Sequence, residues 1–174
     1  MAITIIFAPP RYGKTALMTK FLTDEAFNEE RICNCKEEIK TLNKGGFKLS
    51  YPGYITACNY ELESCKFGYT SRSAKRIIPY RLGFYNDDVK THFLPPYCVI
   101  GIMEGQKYFN SRLFKKFPDW MSRFFEMHGH NYYDIYIDTQ RPHLIDVNIR
   151  ELSNFIDIQK MEIKRNKIVC MLIE

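Results

Sequence analysis

Residues 4–7 form a short β-branched and aromatic run that stops at Pro9 and Pro10, the pattern of a buried strand entering a turn. Beyond the turn, Leu17, Met18, Phe21 and Leu22 recur at helical spacing, which predicts a helix from about Lys14 into the region 24–30. The stretch 33–53 is polar, lysine-rich and contains Gly45-Gly46; it reads as an exposed connection with one short helix around 36–42. Residues 54–58 read as a second strand. The unbroken apolar run 97–103 (YCVIGIM) predicts a central parallel strand buried on both faces, with chemistry at its C-terminal end. Trp120, Met121, Phe124, Phe125 and His128 follow i, i+1, i+4, i+5, i+8, an amphipathic helix opened by Pro118-Asp119. Residues 134–138 (DIYID) read as another strand, and Ile145, Ile149, Leu152 and Ile156 as a short helix. The segments 159–163 and 167–173, split by Arg165-Asn166, then resemble a terminal hairpin. Residues 59–96 mix aromatic, basic and turn residues without a sustained period and are treated as an insertion of undefined structure.

Strands that alternate with helices in this way imply an α/β fold, a mainly parallel central sheet flanked by helices. The 174 residues suit one domain, long enough to bury roughly two thirds of its unfolded surface. A hydrophobic fraction of 45% and a charged fraction of 26% exclude disordered and fibrous classes. The net charge of +5 is mild and by itself implies neither nucleic acid nor anionic lipid. Cys33, Cys35, Cys58, Cys65, Cys98 and Cys170 lack the regular spacing of a secreted disulfide framework, so reduced thiols in a cytosolic compartment are expected. The opening ITIIFA is too short for a signal-peptide core, and no stretch of about 18 apolar residues occurs that could cross a membrane.

The chemistry concentrates in residues 8–15, APPRYGKT. This segment fits the phosphate-binding pattern G-x-x-x-x-G-K-[S/T] except at its first position, where Ala8 stands for glycine. A predicted strand precedes it and a predicted helix follows, the arrangement that aims successive amides and a helix N-terminus at a phosphate. Gly13 lets the backbone approach closely, Lys14 would neutralise β- and γ-phosphate oxygens, and the Thr15 hydroxyl would bind Mg²⁺. Ala8, Arg11, Tyr12 and Ala16 complete the expected nucleotide-binding set. A hydrolase also needs an acidic group at the end of a neighbouring strand. Glu104, after the run 99–103, is placed to polarise the attacking water. Met103 occupies the position of the aspartate that usually precedes such a glutamate and helps hold the metal shell.

With these residues the chain resembles the N-terminal NTPase domain of the zonular occludens toxin (Zot) family, which includes the assembly ATPase of filamentous phages. The resemblance covers most of the chain. The family's strand with Asp-Glu-Ala-Gln-like residues and a nearby arginine is matched by Met103-Glu104-Gly105-Gln106 and Arg112. Its His-Arg-His segment, Gly-x-Asp strand and Thr-Gln pair are matched by His128-Gly129-His130, Asp134 and Thr139-Gln140, followed by LIDVNIREL. Three positions depart from the family pattern: Ala8 for glycine, Met103 for aspartate and Gly129 for arginine. The resemblance implies a RecA-like P-loop NTPase fold of the additional-strand type and an ATP- and Mg²⁺-dependent motor for assembly and extrusion of filamentous phage. It further implies a homo-oligomeric ring, such as a hexamer, on the cytoplasmic face of the host inner membrane. Partners would be phage assembly and coat proteins and single-stranded DNA, with the membrane reached through a segment outside these residues. By the same resemblance Gln140 is a polar sensor beside the P-loop and Arg112 an arginine finger. His128 and His130 would line the catalytic cleft or cap their helix.

Two rival readings share the P-loop. A non-hydrolysing nucleotide-binding scaffold is compatible with Met103. A P-loop kinase would need a lid with arginines and an acceptor pocket; the basic stretch 72–81 could imitate such a lid, but the Glu104 and Gln140 pattern favours water as acceptor. The segment 66–85 interleaves Lys66, Arg72, Lys75, Arg76 and Arg81 with Tyr69, Tyr80, Phe84 and Tyr85, as single-strand binding surfaces do, although an ordinary solvated basic face is the preferred account. Cys33-x-Cys35 and Cys58 with Cys65 do not match zinc-ligand spacings.

Overall fold

Each apolar run of the sequence becomes one strand of a single sheet, and the polar residues that interrupt the runs become the turns into helices. The computed structural model describes residues 1–59, 77–79, 94–112, 119–164 and 167–173. In chain order they form β1 (Ile3–Phe7), α1 (Lys14–Glu25), α2 (Glu29–Lys44), β2 (Thr56–Cys58), β3 (Ile77–Pro79) and β4 (Val99–Ile102). A 3-10 turn (Gly105–Lys107), α3 (Asp119–Glu126), β5 (Asp134–Thr139), a second 3-10 turn (Pro142–Leu144), α4 (Val147–Glu151), β6 (Ser153–Lys164) and β7 (Lys167–Ile173) follow.

The sheet order is β3-β2-β4-β5-β1-β6-β7. All pairs are parallel except β6 with β7, which form the antiparallel terminal hairpin. Strand β5 lies between β1 and β4, so one additional strand separates the strand leading into the phosphate loop from the strand leading into Glu104. This is the additional-strand arrangement expected from sequence. The strand inside the 59–96 region, β3, was not legible as such; it extends the parallel sheet beyond β2.

Burial on both faces explains the near-continuous apolar character of the central strands. One face carries Ile3, Ile5, Ile100, Ile102, Ile135 and Ile137 against Phe109, Met121, Phe125, Ile145 and Ile149, from α3, α4 and the loops around them. The other face meets α1 through Met18 and Leu22, both fully buried. Each such side chain contributes roughly 1.5–3 kcal/mol of burial free energy. The helix reaches the sheet because β4 offers Gly101 there: a Cβ at that position would stand 2.7 Å from Leu22 Cδ1.

Three expectations need correction. The 33–53 connection holds a long helix, Glu29–Lys44, in place of a short one at 36–42. It starts where Asn28 Oδ1 accepts from the Arg31 amide, with Glu29 and Glu30 in the first turn, and ends at Gly45, all favourable to helix. Only Cys35 and Ile39 of this helix are buried, packed with Ile55. The helix after 145 stops at Glu151, and Ile156 belongs to β6, opposite Ile6. Leu152 is exposed, so the i, i+4 match of 152 with 156 does not reflect a shared helical face. Finally, β2 begins at Thr56, two residues later than expected.

Candidate active site

In a parallel sheet the turns that leave the C-terminal ends of the strands share one edge. Here that edge collects residues 8–15 after β1, Asn59 after β2, residues 103–107 after β4 and residues 138–140 at the end of β5.

The β1–α1 turn has the backbone its sequence demands. Arg11 and Gly13 adopt left-handed conformations, φ 67° and 80°, and Gly13 is the residue type that does so without steric cost. Ala8 is not among the positive-φ residues. It is 2% exposed and packs with Ile6, Met18 and Ile158. The glycine of the usual motif is therefore not required at this position, and the Cβ fills the core. Gly13 caps α1 without any side-chain bond, and no acidic residue occupies the first turn. The amides of Lys14 and Thr15 have no intrahelical acceptor by helix geometry, and nothing negative on the helix itself competes for them.

Lys14 is 9% exposed, and its ammonium crosses the loop to donate to the carbonyl oxygens of Ala8 (3.0 Å) and Pro9 (3.1 Å). Burial pulls its pKa below the ordinary lysine value, while the charges of Asp138 and Glu104 act in the opposite direction. Thr15 Oγ1 donates to Asp138 Oδ2 at 2.8 Å. The other oxygen of Asp138 accepts from the Glu104 amide at 2.6 Å. Asp138 is 2% exposed; burial pushes its carboxyl above the usual range, opposed by those two bonds and the Lys14 charge.

Glu104 takes a left-handed conformation, φ 54°, and its carboxylate is ion-paired with Lys107. Two contacts fix the strand end behind it. Asn59 brackets Met103, accepting from its amide (2.7 Å) and donating to its carbonyl (3.1 Å). Gly105 fits against β5 so closely that a Cβ would stand 2.2 Å from Ile137 Cγ2.

Of the residues singled out from sequence, Ala8, Gly13, Lys14, Thr15 and Glu104 converge. Gln140 is exposed directly after Thr139, whose register partner Phe7 precedes Ala8, so it stands at the mouth of the phosphate loop. Arg11 and Tyr12 are exposed on the loop and Ala16 is buried beneath it. Arg112 is exposed, with its amide on Asn110 Oδ1, and no hydrogen bond or ion pair among the described residues brings it to Lys14. His128 and His130 belong to the opposite edge. They precede β5, and His128 Nδ1 bonds the Phe125 carbonyl while the His130 amide donates to Met127, so both finish α3. Asp134 lies at that edge too, paired with Arg31 and accepting from the Ala2 amide. The basic stretch 66–85 and Cys65 lie outside the described residues apart from β3. Among the described residues no cluster of three or more His, Cys, Asp or Glu could hold a metal. Sequence reasoning missed Asp138 and Asn59; their signal was a polar side chain at the C-terminal end of a buried strand.

The donor set at this edge, a threonine hydroxyl and a carboxylate, consists of hard oxygens and suits Mg²⁺, which typically takes few protein ligands and shares phosphate oxygens. No helix among the described residues is long and apolar enough to cross a membrane.

No protein-family model matches the chain, and no curated protein is significantly similar to it. Solved structures are. The N-terminal domain of zonular occludens toxin from Neisseria meningitidis is 19% identical, with TM-score 0.54 over 92% of this chain and 80% of that one. The genome-packaging NTPase of Sulfolobus turreted icosahedral virus 2, solved with ATP-gammaS, is 17% identical, with TM-score 0.53 over 92% of this chain and 76% of that one. The DNA-packaging ATPase of Sulfolobus turreted icosahedral virus gives 15% identity and TM-score 0.54 over 92% and 77%. The chain therefore has the α/β P-loop NTPase fold and is structurally similar to the N-terminal domain of zonular occludens toxin.

Proposed function

We propose that this chain is an ATP-binding, ATP-hydrolysing motor domain. The observation that carries the reading is the meeting of Lys14 and Thr15, at the start of α1, with Asp138 and Glu104 at the ends of two adjacent strands. A triphosphate laid on the β1–α1 turn would meet the amides of Lys14 and Thr15 and draw the ammonium from the Ala8 and Pro9 carbonyls onto its β- and γ-oxygens. Thr15 and Asp138 are the residues that would hold Mg²⁺. A magnesium ion held there would supply neutralisation of phosphate charge. Glu104, freed from Lys107, is the base that takes a proton from water attacking the γ-phosphate. Gln140, at the mouth, orients that water.

The biological role rests on the structural neighbours. Zonular occludens toxin and a viral genome-packaging NTPase share this fold, and the Zot-like residue series runs through Glu104, Gln140 and the segment 144–152. We infer a motor for assembly and extrusion of filamentous phage at the cytoplasmic face of the host inner membrane. In this reading the chain works as a homo-oligomeric ring, with Arg112 reaching a neighbouring nucleotide and phage coat proteins or single-stranded DNA as cargo.

The test is ATP binding and turnover by purified protein. Lys14→Ala abolishes nucleotide binding, and Glu104→Gln keeps binding but lowers turnover about 10²–10⁴-fold. Unchanged ATP affinity in Lys14→Ala refutes the site. A second reading, a non-hydrolysing scaffold in which ATP orders subunits, is favoured by Met103 and by the pairing of Glu104 with Lys107. It predicts that wild type has no rate for Glu104→Gln to lose.

A further inference from the structure

We propose that Asp138 supplies, from β5, the metal-shell carboxylate that β4 lacks at Met103, and that its second oxygen couples the cation site to Glu104. This inference rests on the nucleotide-binding reading and names the residue that makes its metal site complete.

Register locates the exchange. The β4–β5 ladder ends with Ile102 opposite Ile137, so one step further Met103 neighbours Asp138. The carboxylate has moved one strand sideways at the same height in the sheet. The Met103 side chain packs with Ile6, Ala8, Met18 and Ile158 and donates nothing to the edge. Asp138 holds the P-loop threonine through Oδ2, the contact expected of a metal-shell aspartate, because the P-loop hydroxyl and that carboxylate flank the same cation.

A purely structural aspartate would account for the burial less well. A carboxylate removed from water is costly unless paired, and among the described residues none forms a salt bridge with Asp138 within 4.0 Å. Its direct partners are a neutral hydroxyl and a neutral amide. The Lys14 ammonium acts on this carboxylate only through space, its own hydrogen bonds going to the Ala8 and Pro9 carbonyls, so Asp138 has no direct cationic partner where a phosphate-bound cation would sit. The amide of Glu104, a residue in the left-handed conformation, donates to the other oxygen of the same carboxylate, so occupancy at Thr15 and the position of the base are linked through one carboxylate.

The experiment measures affinity for a non-hydrolysable fluorescent ATP analogue, with Mg²⁺ and with chelator, for wild type, Asp138→Asn and the double variant Met103→Asp with Asp138→Asn. Wild type binds more tightly with Mg²⁺. Asp138→Asn, which can keep hydrogen bonds to Thr15 and Glu104, retains the chelator affinity and loses about 10–100-fold of the Mg²⁺ gain. The double variant recovers part of that gain. An undiminished Mg²⁺ gain in Asp138→Asn overturns the inference and leaves the nucleotide-binding reading standing, as does equal weakening with and without Mg²⁺, which would mark a structural role only. Wild type that binds no analogue under either condition overturns both. Should Asp138→Asn fail to fold, wild type with ¹³C-labelled aspartate decides: Mn²⁺ plus the analogue broadens the carboxylate signal of Asp138 far more than that of Asp134 at the other end of β5, and equal broadening refutes the assignment.

Discussion

Adding one methyl group at Gly105 should damage both the fold and the position of Glu104. A Cβ at this position would lie 2.2 Å from Ile137 Cγ2 and 3.3 Å from Ile145 Cδ1. Real carbon contacts are about 3.5–4.0 Å, so the turn after β4 must retreat from β5 by more than an ångström. Ile137 cannot yield. It is fully buried in the middle of the sheet, and its β-branch restricts χ1. Overpacking of this kind costs about 1–3 kcal/mol, and Gly105→Ala should lose that much in urea unfolding. The retreat also pulls on the Glu104 amide, whose 2.6 Å bond to Asp138 is a further attachment of the same turn, so turnover should fall more than nucleotide affinity. Ile137→Ala, which removes the clashing methyl, is itself destabilising by about 2–5 kcal/mol. The double variant should nevertheless be more stable than the sum of the two single losses predicts, by at least about 0.5 kcal/mol. Strict additivity would show that the two groups do not compete for space and would refute this account of the turn.

At the opposite edge, burial opposes ionisation of Asp134, but its bond and charge pairing with Arg31, the Ala2 amide and the N-terminal charge hold its carboxyl below the usual range. A lowered folded-state pKa contributes stability above the unfolded value, near 3.9, that is lost as pH falls through the folded one. Melting temperature should therefore decline below about pH 4 more steeply in wild type than in Asp134→Asn, and parallel acid limbs would exclude the pair as the cause. Arg31→Ala, which leaves that carboxylate only the Ala2 amide and the N-terminal ammonium as partners, should cost about 1.5–3 kcal/mol at neutral pH. The cysteines offer an independent check of α2: Cys33 is exposed whereas Cys35 and Cys98 are buried, and burial pushes the Cys35 thiol up to about 11. Since the thiolate is the nucleophile, peptide mapping after brief iodoacetamide treatment should find Cys33 labelled well before Cys35 or Cys98. Equal labelling of Cys33 and Cys35 would contradict the packing of that helix on Ile55.

What was readable in the sequence, and what was not, follows from where each residue's information lies. The strand, turn and helix at residues 3–25 are local: apolar run, Gly13 and the 3.6-residue period all act within a few positions, and the structure matches them. Helix α2 was hidden because its buried stripe is only two residues wide, so the average polarity of 33–53 outweighed the period; the cap at Asn28 was the better signal. Strand β6 was misread as the end of a helix because Leu152 and Ile156 satisfy a helical spacing while pairing with β1, a non-local fact, decides the conformation. The site divides along a simpler line. In a parallel sheet, residues that follow a strand gather at one edge and residues that precede a strand gather at the other. Residues 8–15, Asn59, Glu104 and Asp138 to Gln140 follow or end their strands, and all stand at the candidate site. His128, His130 and Asp134 precede or begin β5, and all stand opposite. Of the two roles open to the histidines, cleft or helix cap, chain order relative to β5 leaves the cap, because the six residues of β5 span about 20 Å, farther than a histidine side chain can reach. The same rule singles out Asp138: a buried carboxylate at the exit of β5, on the face where Tyr136 packs against Phe21 of α1, has no packing reason to be there, and its nearest counterpart on β4 is the methionine where an aspartate was expected.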